Sequence, residues 1–200
     1  MPYAQTWAKE LKKSGHKVVL VHAHSKIQKG DVLFLLSCEK KLSRQCAALH
    51  RHNLVVHESD LPKGKGWSPL TWQILEGKDK IPVTLFKAVD DIDSGDIYKK
   101  EIMSFRGDEL IDELRVVQAR HTRKLMFDFI KNFKNVKFLK QTGKSTYYPR
   151  RKPEDSRLDI HKSIKDQFNL FRVADNTRYP VFFHYRWHEY ILKIYKKGSV

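Results

Sequence analysis

The apolar positions along the chain follow two patterns, one helical and one typical of strands. In residues 3–13 the apolar side chains recur three or four positions apart, which predicts an amphipathic helix that ends at Ser14-Gly15. Runs rich in β-branched and other apolar residues predict buried strands over 17–22, 31–36, 53–57, 82–89 and 97–103. Helical spacing predicts further helices over 42–49, 70–76 and 107–133.

This order of elements favours one fold class. Strands that alternate with helices predict an α/β, Rossmann-like fold with a mostly parallel sheet. Such folds normally open with a strand, whereas this chain opens with a helix. The pattern therefore predicts that the first strand is missing from the sequence, or that the sheet is built without it.

The composition shifts near residue 134, which predicts two parts: a core over residues 1–134 and a linker with a small extension over residues 135–200. In the second part we expect a short strand at 136–140 and a short helix at 164–172. The segments 180–185 and 190–195 predict a terminal β-hairpin.

Charge and cysteine content narrow the classes of partner and compartment. The 200 residues include 39 Lys and Arg against 23 Asp and Glu, a net charge of +16 that favours anionic ligands. No apolar run is long enough for a membrane helix, and the first residues lack the apolar region of a signal peptide. Cys38 and Cys46 form neither a disulfide framework nor a zinc pattern, so we expect a reduced, cytoplasmic protein without a metal.

Two side chains stand out as candidates for chemistry. His57 ends a predicted strand directly before a loop rich in Pro and Gly, and ligands of open α/β sheets bind beyond the carboxyl ends of strands. Asp93 lies in the acidic turn 90–96 of an otherwise basic chain. A carboxylate next to an imidazole would favour its protonated form and orient its ring, which suits proton transfer near neutral pH.

Around these two residues the sequence resembles the folate-dependent formyltransferases. The motifs of that family are Asn-x-His, Ser-x-Leu-Pro, a glycine-rich loop and Asp-x-Gly-Asp, in that order. The matching segments here are His57-Glu58-Ser59-Asp60-Leu61-Pro62, Gly64-Lys65-Gly66-Trp67-Ser68-Pro69 and Asp93-Ser94-Gly95-Asp96. The segment Tyr147–Ser156 is similar to the linker of the sugar N-formyltransferases. One departure is Val55, which stands where the family has its asparagine.

The resemblance implies transfer of a formyl group from N10-formyltetrahydrofolate to a primary amine, with no metal. It assigns His57 as a hydrogen-bond donor to the oxyanion of the formyl group and as a proton relay, and Asp93 as the residue that orients His57 and helps to remove the proton of the amine. We expect Asn53, on the same face of an extended strand as His57, to supply the missing amide as a second donor to the oxyanion. The folate is expected against residues of two strand ends and of the glycine-rich loop. These residues are Leu36, Ser37, Gly64, Gly66, Asp90, Asp91 and Ile92.

The tail indicates the acceptor. Its resemblance implies a nucleotide-linked amino sugar, as used in lipopolysaccharide or O-antigen biosynthesis, bound by Trp67, Tyr148, Arg150 and Arg151. Arginine suits phosphate, and an aromatic ring suits a base or sugar. One alternative is an enzyme like methionyl-tRNA formyltransferase, and another is a non-catalytic protein that binds nucleic acid with its basic surface. The sequence favours neither nucleic acid nor a membrane as partner, and it leaves a homodimer open.

Overall fold

The computed structural model describes residues 3–198, which form an α/β fold with eight strands and five α-helices in that range. The helices are α1 Tyr3–Lys13, α2 Arg44–Ala47, α3 Pro69–Leu75, α4 Ile111–Lys131 and α5 Phe168–Arg172. The strands are β1 Gly30–Leu35, β2 His50–His57, β3 Lys65–Gly66, β4 Lys80–Lys87, β5 Ile97–Ser104, β6 Tyr147–Tyr148, β7 Val181–Tyr185 and β8 His188–Leu192. Short 3₁₀ turns lie at His24–Lys26, Phe133–Asn135 and Pro153–Ser156. The predicted α/β class and the terminal hairpin are confirmed.

The main sheet is mixed, in the order β1-β2-β4-β5. The β1–β2 pair is parallel, but β2–β4 and β4–β5 are antiparallel, so the expectation of a mostly parallel sheet is wrong in this respect. The physical reason is connection length: only nine residues, 88–96, join β4 to β5, and a parallel crossover needs about a dozen or more.

The predicted strand at 17–22 is also wrong. The segment is irregular in the structure, and the side chains of Val19 and Leu20 are 51% and 41% exposed. A run of β-branched residues becomes a strand only where a neighbouring strand pairs with it, and no strand does so within residues 3–198. The described sheet is thus built without a strand before β1. The expected short strand at 136–140 is reduced to one bridge, between Leu139 and Ile97.

The core lies between the sheet and the helices. Leu54, Val83 and Leu85 of the sheet pack against Leu125 and Phe129 of α4, and all five are essentially inaccessible to water. Burying side chains of this size stabilises the fold by about 1.5–3 kcal/mol each. The carboxylate of Glu113 accepts a hydrogen bond from the backbone N–H of Leu110 and so caps the start of α4.

The extension packs on this core. Its helix α5 and the β7–β8 hairpin share a small apolar cluster with Leu158. The buried Arg172 guanidinium contacts the buried Glu109 carboxylate at 3.2 Å, and Val173 joins the main core. The boundary at residue 134 stays a prediction, but the tail is firmly joined to the elements that precede it.

Membrane insertion finds no support among the helices of residues 3–198, none of which combines the length and the apolar character that a membrane span requires.

Candidate active site

His57 is the last residue of β2, where the chain leaves the sheet. It is 7% exposed, and its ring packs edge-on against Phe86 with the centroids 6.5 Å apart. Its Nε2 lies 2.9 Å from the carbonyl oxygen of Gly64. A carbonyl can only accept, so Nε2 carries the hydrogen and donates it. The loop backbone, and not a carboxylate, therefore selects the tautomer of His57.

Asp93 reaches the same corner from the turn between β4 and β5. Its Oδ2 lies 3.6 Å from Nε2 of His57, which is ion-pair range but longer than a hydrogen bond. The same oxygen accepts a hydrogen bond of 2.8 Å from the backbone N–H of Gly66. Because both side chains are largely withdrawn from water, at 9% and 14% exposure, their interaction is only weakly screened.

Three features hold the Asp93 turn in place. The Gln141 side-chain amide donates to the backbone oxygens of Asp93 and Gly95, at 2.9 Å each. Asp93 itself has a left-handed φ of 50°, which aspartate tolerates better than most residues. Gly95 is so close to the carbonyl oxygen of Lys87 that a Cβ there would collide with it. The turn is therefore built for one position of its carboxylate.

The glycine-rich loop supports the His57–Asp93 pair. Gly64 donates its N–H to Thr146 Oγ1 at 2.8 Å, while its carbonyl receives the His57 hydrogen. Gly66 has a φ of 96°, and a Cβ there would lie 2.5 Å from the carbonyl oxygen of Tyr148. The Gly64 carbonyl and the Gly66 N–H thus hold His57 and Asp93 by hydrogen bonds. Contact of either glycine with folate stays a prediction.

The structure does not bring Asn53 to this pair. It lies four residues before His57 on β2, a separation of about 13 Å at the usual strand rise. Its amide donates to the carbonyl oxygen of Ala47 at 2.9 Å. The expectation that Asn53 replaces the family asparagine is therefore wrong on geometry.

The two residues that flank Asp93 in its turn, Ile92 and Ser94, line an open cleft of about 500 Å³. Its lining residues are Lys41, Asp90, Asp91, Ile92, Ser94 and Tyr147. Three of the predicted folate contacts thus share one surface. The Arg44 guanidinium, 2.7 Å from the Asp90 carboxylate, holds the pKa of that carboxyl below its ordinary value.

Leu36 and Ser37 do not line the cleft. Leu36 instead packs against the apolar cluster around Trp7. Ser37 follows the end of β1 with a φ of 51°. The prediction that these two residues meet the folate has no support in the described part of the chain.

The four residues predicted to bind the acceptor fall into two pairs. The Arg150 guanidinium lies over the Trp67 ring, 4.7 Å from its centroid, on the protein surface. Tyr148 instead stacks on Trp72, and its hydroxyl donates to Glu76 at 2.9 Å. Arg151 donates to Ser156 Oγ at 2.9 Å, and burial lowers its pKa. Only Trp67 and Arg150 form an exposed pair that a ligand can reach.

Sequence reasoning missed three residues of this site: Lys65, Gln141 and Thr146. Lys65 was named only as part of the glycine-rich loop, although its position between two glycines of that loop was a usable signal. Gln141 and Thr146 gave no signal, because they lie in the tail and only tertiary contacts bring them to the turn and the loop.

Comparison with known proteins shows what the chain resembles in sequence. No family model matches the chain. Methionyl-tRNA formyltransferase of Thermotoga maritima is 28% identical over 150 residues, which cover 73% of this chain and 48% of that protein. The chain thus spans about half the length of this curated relative.

Solved structures show the same fold. Methionyl-tRNA formyltransferase from Clostridium thermocellum superposes with a TM-score of 0.79 at 22% identity, covering 92% of this chain and 82% of that one. HypX from Aquifex aeolicus in complex with tetrahydrofolic acid gives 0.72 at 19% identity over 90% and 33%. A sugar N-formyltransferase from a Shewanella species gives 0.66 at 13% identity over 85% and 71%. The resemblance to the formyltransferases is confirmed.

Proposed function

We propose that this relative of the formyltransferases transfers a formyl group from N10-formyltetrahydrofolate to a primary amine. The observation that carries the proposal is the largely buried His57–Asp93 pair, whose nearest side-chain atoms are 3.6 Å apart, together with the open cleft lined by both neighbours of Asp93 in the turn. An imidazole and a carboxylate that converge next to a cleft are suited to proton transfer in an active site. A folate co-substrate is supported by the HypX structure, whose fold this chain shares and which holds tetrahydrofolic acid.

The residues divide the chemistry between them. The amine nitrogen attacks the formyl carbon, and the carbonyl electrons move to the formyl oxygen. Asp93, fixed by the Gly66 N–H, is placed to accept the proton that the amine loses, directly or through a water. His57 is placed to relay that proton towards the folate nitrogen as its bond to carbon breaks. The cleft wall formed by Asp90, Asp91 and Ile92 is assigned to the folate.

For the acceptor we propose a nucleotide-linked amino sugar. The exposed Arg150–Trp67 pair offers a guanidinium for phosphate and a ring face for a base or sugar. A sugar N-formyltransferase among the structures of the same fold supports this class of acceptor.

Aminoacylated tRNA is the second candidate acceptor. It is favoured by the net charge of +16 and by the similarity to methionyl-tRNA formyltransferase in both sequence and structure. A basic protein attracts the phosphate backbone of RNA, and such binding weakens steeply with salt.

The test is to incubate the protein with N10-formyltetrahydrofolate and either a panel of nucleotide-linked amino sugars or aminoacylated tRNA. Mass spectrometry then reports which amine gains one formyl group. We expect a sugar product. Formylated tRNA alone would replace the sugar proposal with the second candidate, and no product from any amine would overturn the function.

The variant Asp93→Asn tests the role of the Asp93 carboxylate. Its amide oxygen can still accept the Gly66 hydrogen bond, so the turn should keep its shape while the base is lost. We expect the rate to fall by about 10²–10⁴ with folate binding retained. Turnover close to that of the wild type would remove Asp93 from the mechanism.

A further inference from the structure

Lys65 is a buried cation next to the active site that the proposed mechanism leaves without a role. It belongs to β3 and is 5% exposed. Its Nζ lies 2.7 Å from Ser94 Oγ and 5.9 Å from the centroid of the Tyr147 ring. Ser94 and Tyr147 both line the open cleft. The ammonium therefore contacts one residue of the cleft lining and lies close to a second.

Among residues 3–198, no carboxylate oxygen lies within 4.0 Å of the Lys65 ammonium. Two lysines of the main sheet do have such a partner: the Lys87 ammonium lies 3.4 Å from the Asp96 carboxylate, and the Lys100 ammonium lies 2.6 Å from the Asp60 carboxylate. A buried charge without an opposite charge is costly to the fold. A position that tolerates this cost is suited to receive an anionic oxygen from a ligand.

The other hydrogen-bond donors at this corner are already engaged. His57 Nε2 donates to Gly64, and the Gly66 N–H donates to Asp93. The Asn53 amide donates to Ala47 and does not reach this corner. An ammonium has three N–H donors, and Lys65 gives one of them to Ser94. Among residues 3–198 the other two have no hydrogen-bond acceptor, so two donors remain for a ligand.

We propose that Lys65 is the group that stabilises the oxyanion of this reaction, an inference that rests on the proposed formyl transfer. When the amine nitrogen bonds to the formyl carbon, the carbonyl electron pair becomes a negative oxygen. The Lys65 ammonium stabilises that oxygen by charge and hydrogen bonding. The pair returns to re-form C=O as the bond from carbon to the folate nitrogen breaks, and that nitrogen takes the proton that the amine released. Lys65 keeps its own proton throughout.

The decisive variant is Lys65→Met, which keeps an unbranched side chain only one atom shorter and removes the charge. We expect kcat to fall by about 10²–10³, the usual cost of losing one oxyanion donor, while the Kd for N10-formyltetrahydrofolate changes by less than about threefold. Lys65→Arg, which retains the charge, should stay within about tenfold of the wild-type kcat. Lys63→Met, exposed and two residues away in the same loop, should leave both quantities unchanged.

Binding by calorimetry and thermal unfolding separate a chemical role from a structural one. A folded Lys65→Met variant that keeps most of the wild-type kcat would overturn the inference, as would a parallel loss of folate binding. If Lys65→Met does not fold, Lys65→Gln is judged by the same criteria. If the wild-type protein formylates no amine, the proposed function itself is overturned, and the role of Lys65 falls with it.

Discussion

Two histidines of β2, its last residue and its third, lie in opposite environments. His57, at the carboxyl end, donates to a backbone carbonyl and faces a carboxylate. His52, five residues earlier, lies on the other face of the strand and packs among three aromatic rings, with centroids 5.4–5.8 Å away. These rings belong to Phe129, Phe133 and Phe138.

This difference shows that the surroundings of a histidine determine its role. Around His52, burial lowers the pKa, and the nearby charges of Arg51 and Lys87 lower it further. Its ring nitrogen Nε2 is buried without a hydrogen-bond partner among the described residues. His52 therefore serves as a neutral packing group, whereas His57 donates to the Gly64 carbonyl and lies 3.6 Å from the Asp93 carboxylate.

The largest expected effect comes from replacing each of these two histidines with alanine. His57→Ala should reduce kcat for formyl transfer by about 10²–10⁴, and it should also cost stability because it removes a buried ring and its hydrogen bond to Gly64. His52→Ala should lower the free energy of unfolding by about 1–3 kcal/mol, because it leaves a cavity among the three rings, and should leave kcat of the folded protein unchanged. Steady-state kinetics on both variants, with denaturant unfolding to show that each is folded, would show the loss of kcat in the His57 variant alone, and equal effects of both on kcat would refute the division.

A second experiment concerns the support of the His57 end. Gly95→Ala places a methyl group against the Lys87 carbonyl and should push the Asp93 turn away from β4. We expect a loss of about 1–3 kcal/mol of stability together with a clear loss of kcat.

Gly77→Ala is the matched control for Gly95→Ala. This glycine has a φ of 81° and open space around its Cβ position. Its cost should be about 1 kcal/mol with no change in kcat of the folded protein. Equal activity of the two variants would show that the close approach at Gly95 does not position Asp93.

The smallest expected effect is the pH dependence set by His52. The pKa of His52 in the folded protein lies below its ordinary value of 6.5. At pH values between these two pKa values, the unfolded chain therefore binds more protons than the folded protein. Its contribution to stability is therefore present above 6.5 and is lost as pH falls towards the lower folded pKa. His52→Phe should show a smaller loss of thermal stability than the wild type between about pH 7 and about pH 5. Parallel curves would contradict this.

The sequence alone was sufficient for α1, the strands that became β1, β2, β4 and β5, and the long helix α4, because each carries a strong periodic pattern over its own length. It also singled out His57 and Asp93, since each lies directly after or between such elements. It failed at residues 17–22, where strand propensity had no neighbour to pair with, and at Asn53, because residues on one face of a strand need not reach the same end.

Only the tertiary structure determined the contacts between segments that are distant in the sequence. The distance from His57 to Asp93, the Gly64 carbonyl that selects the tautomer, and the hold of Gln141 on the turn all depend on loops that meet through packing. The burial of Lys65, with no carboxylate oxygen within 4.0 Å among residues 3–198, is of the same kind, since a short run of lysines and glycines carries no pattern that distinguishes a buried lysine from an exposed one. Periodicity reports which face of an element is buried, but not which other element covers it, and the chemistry of this site arises where such elements meet.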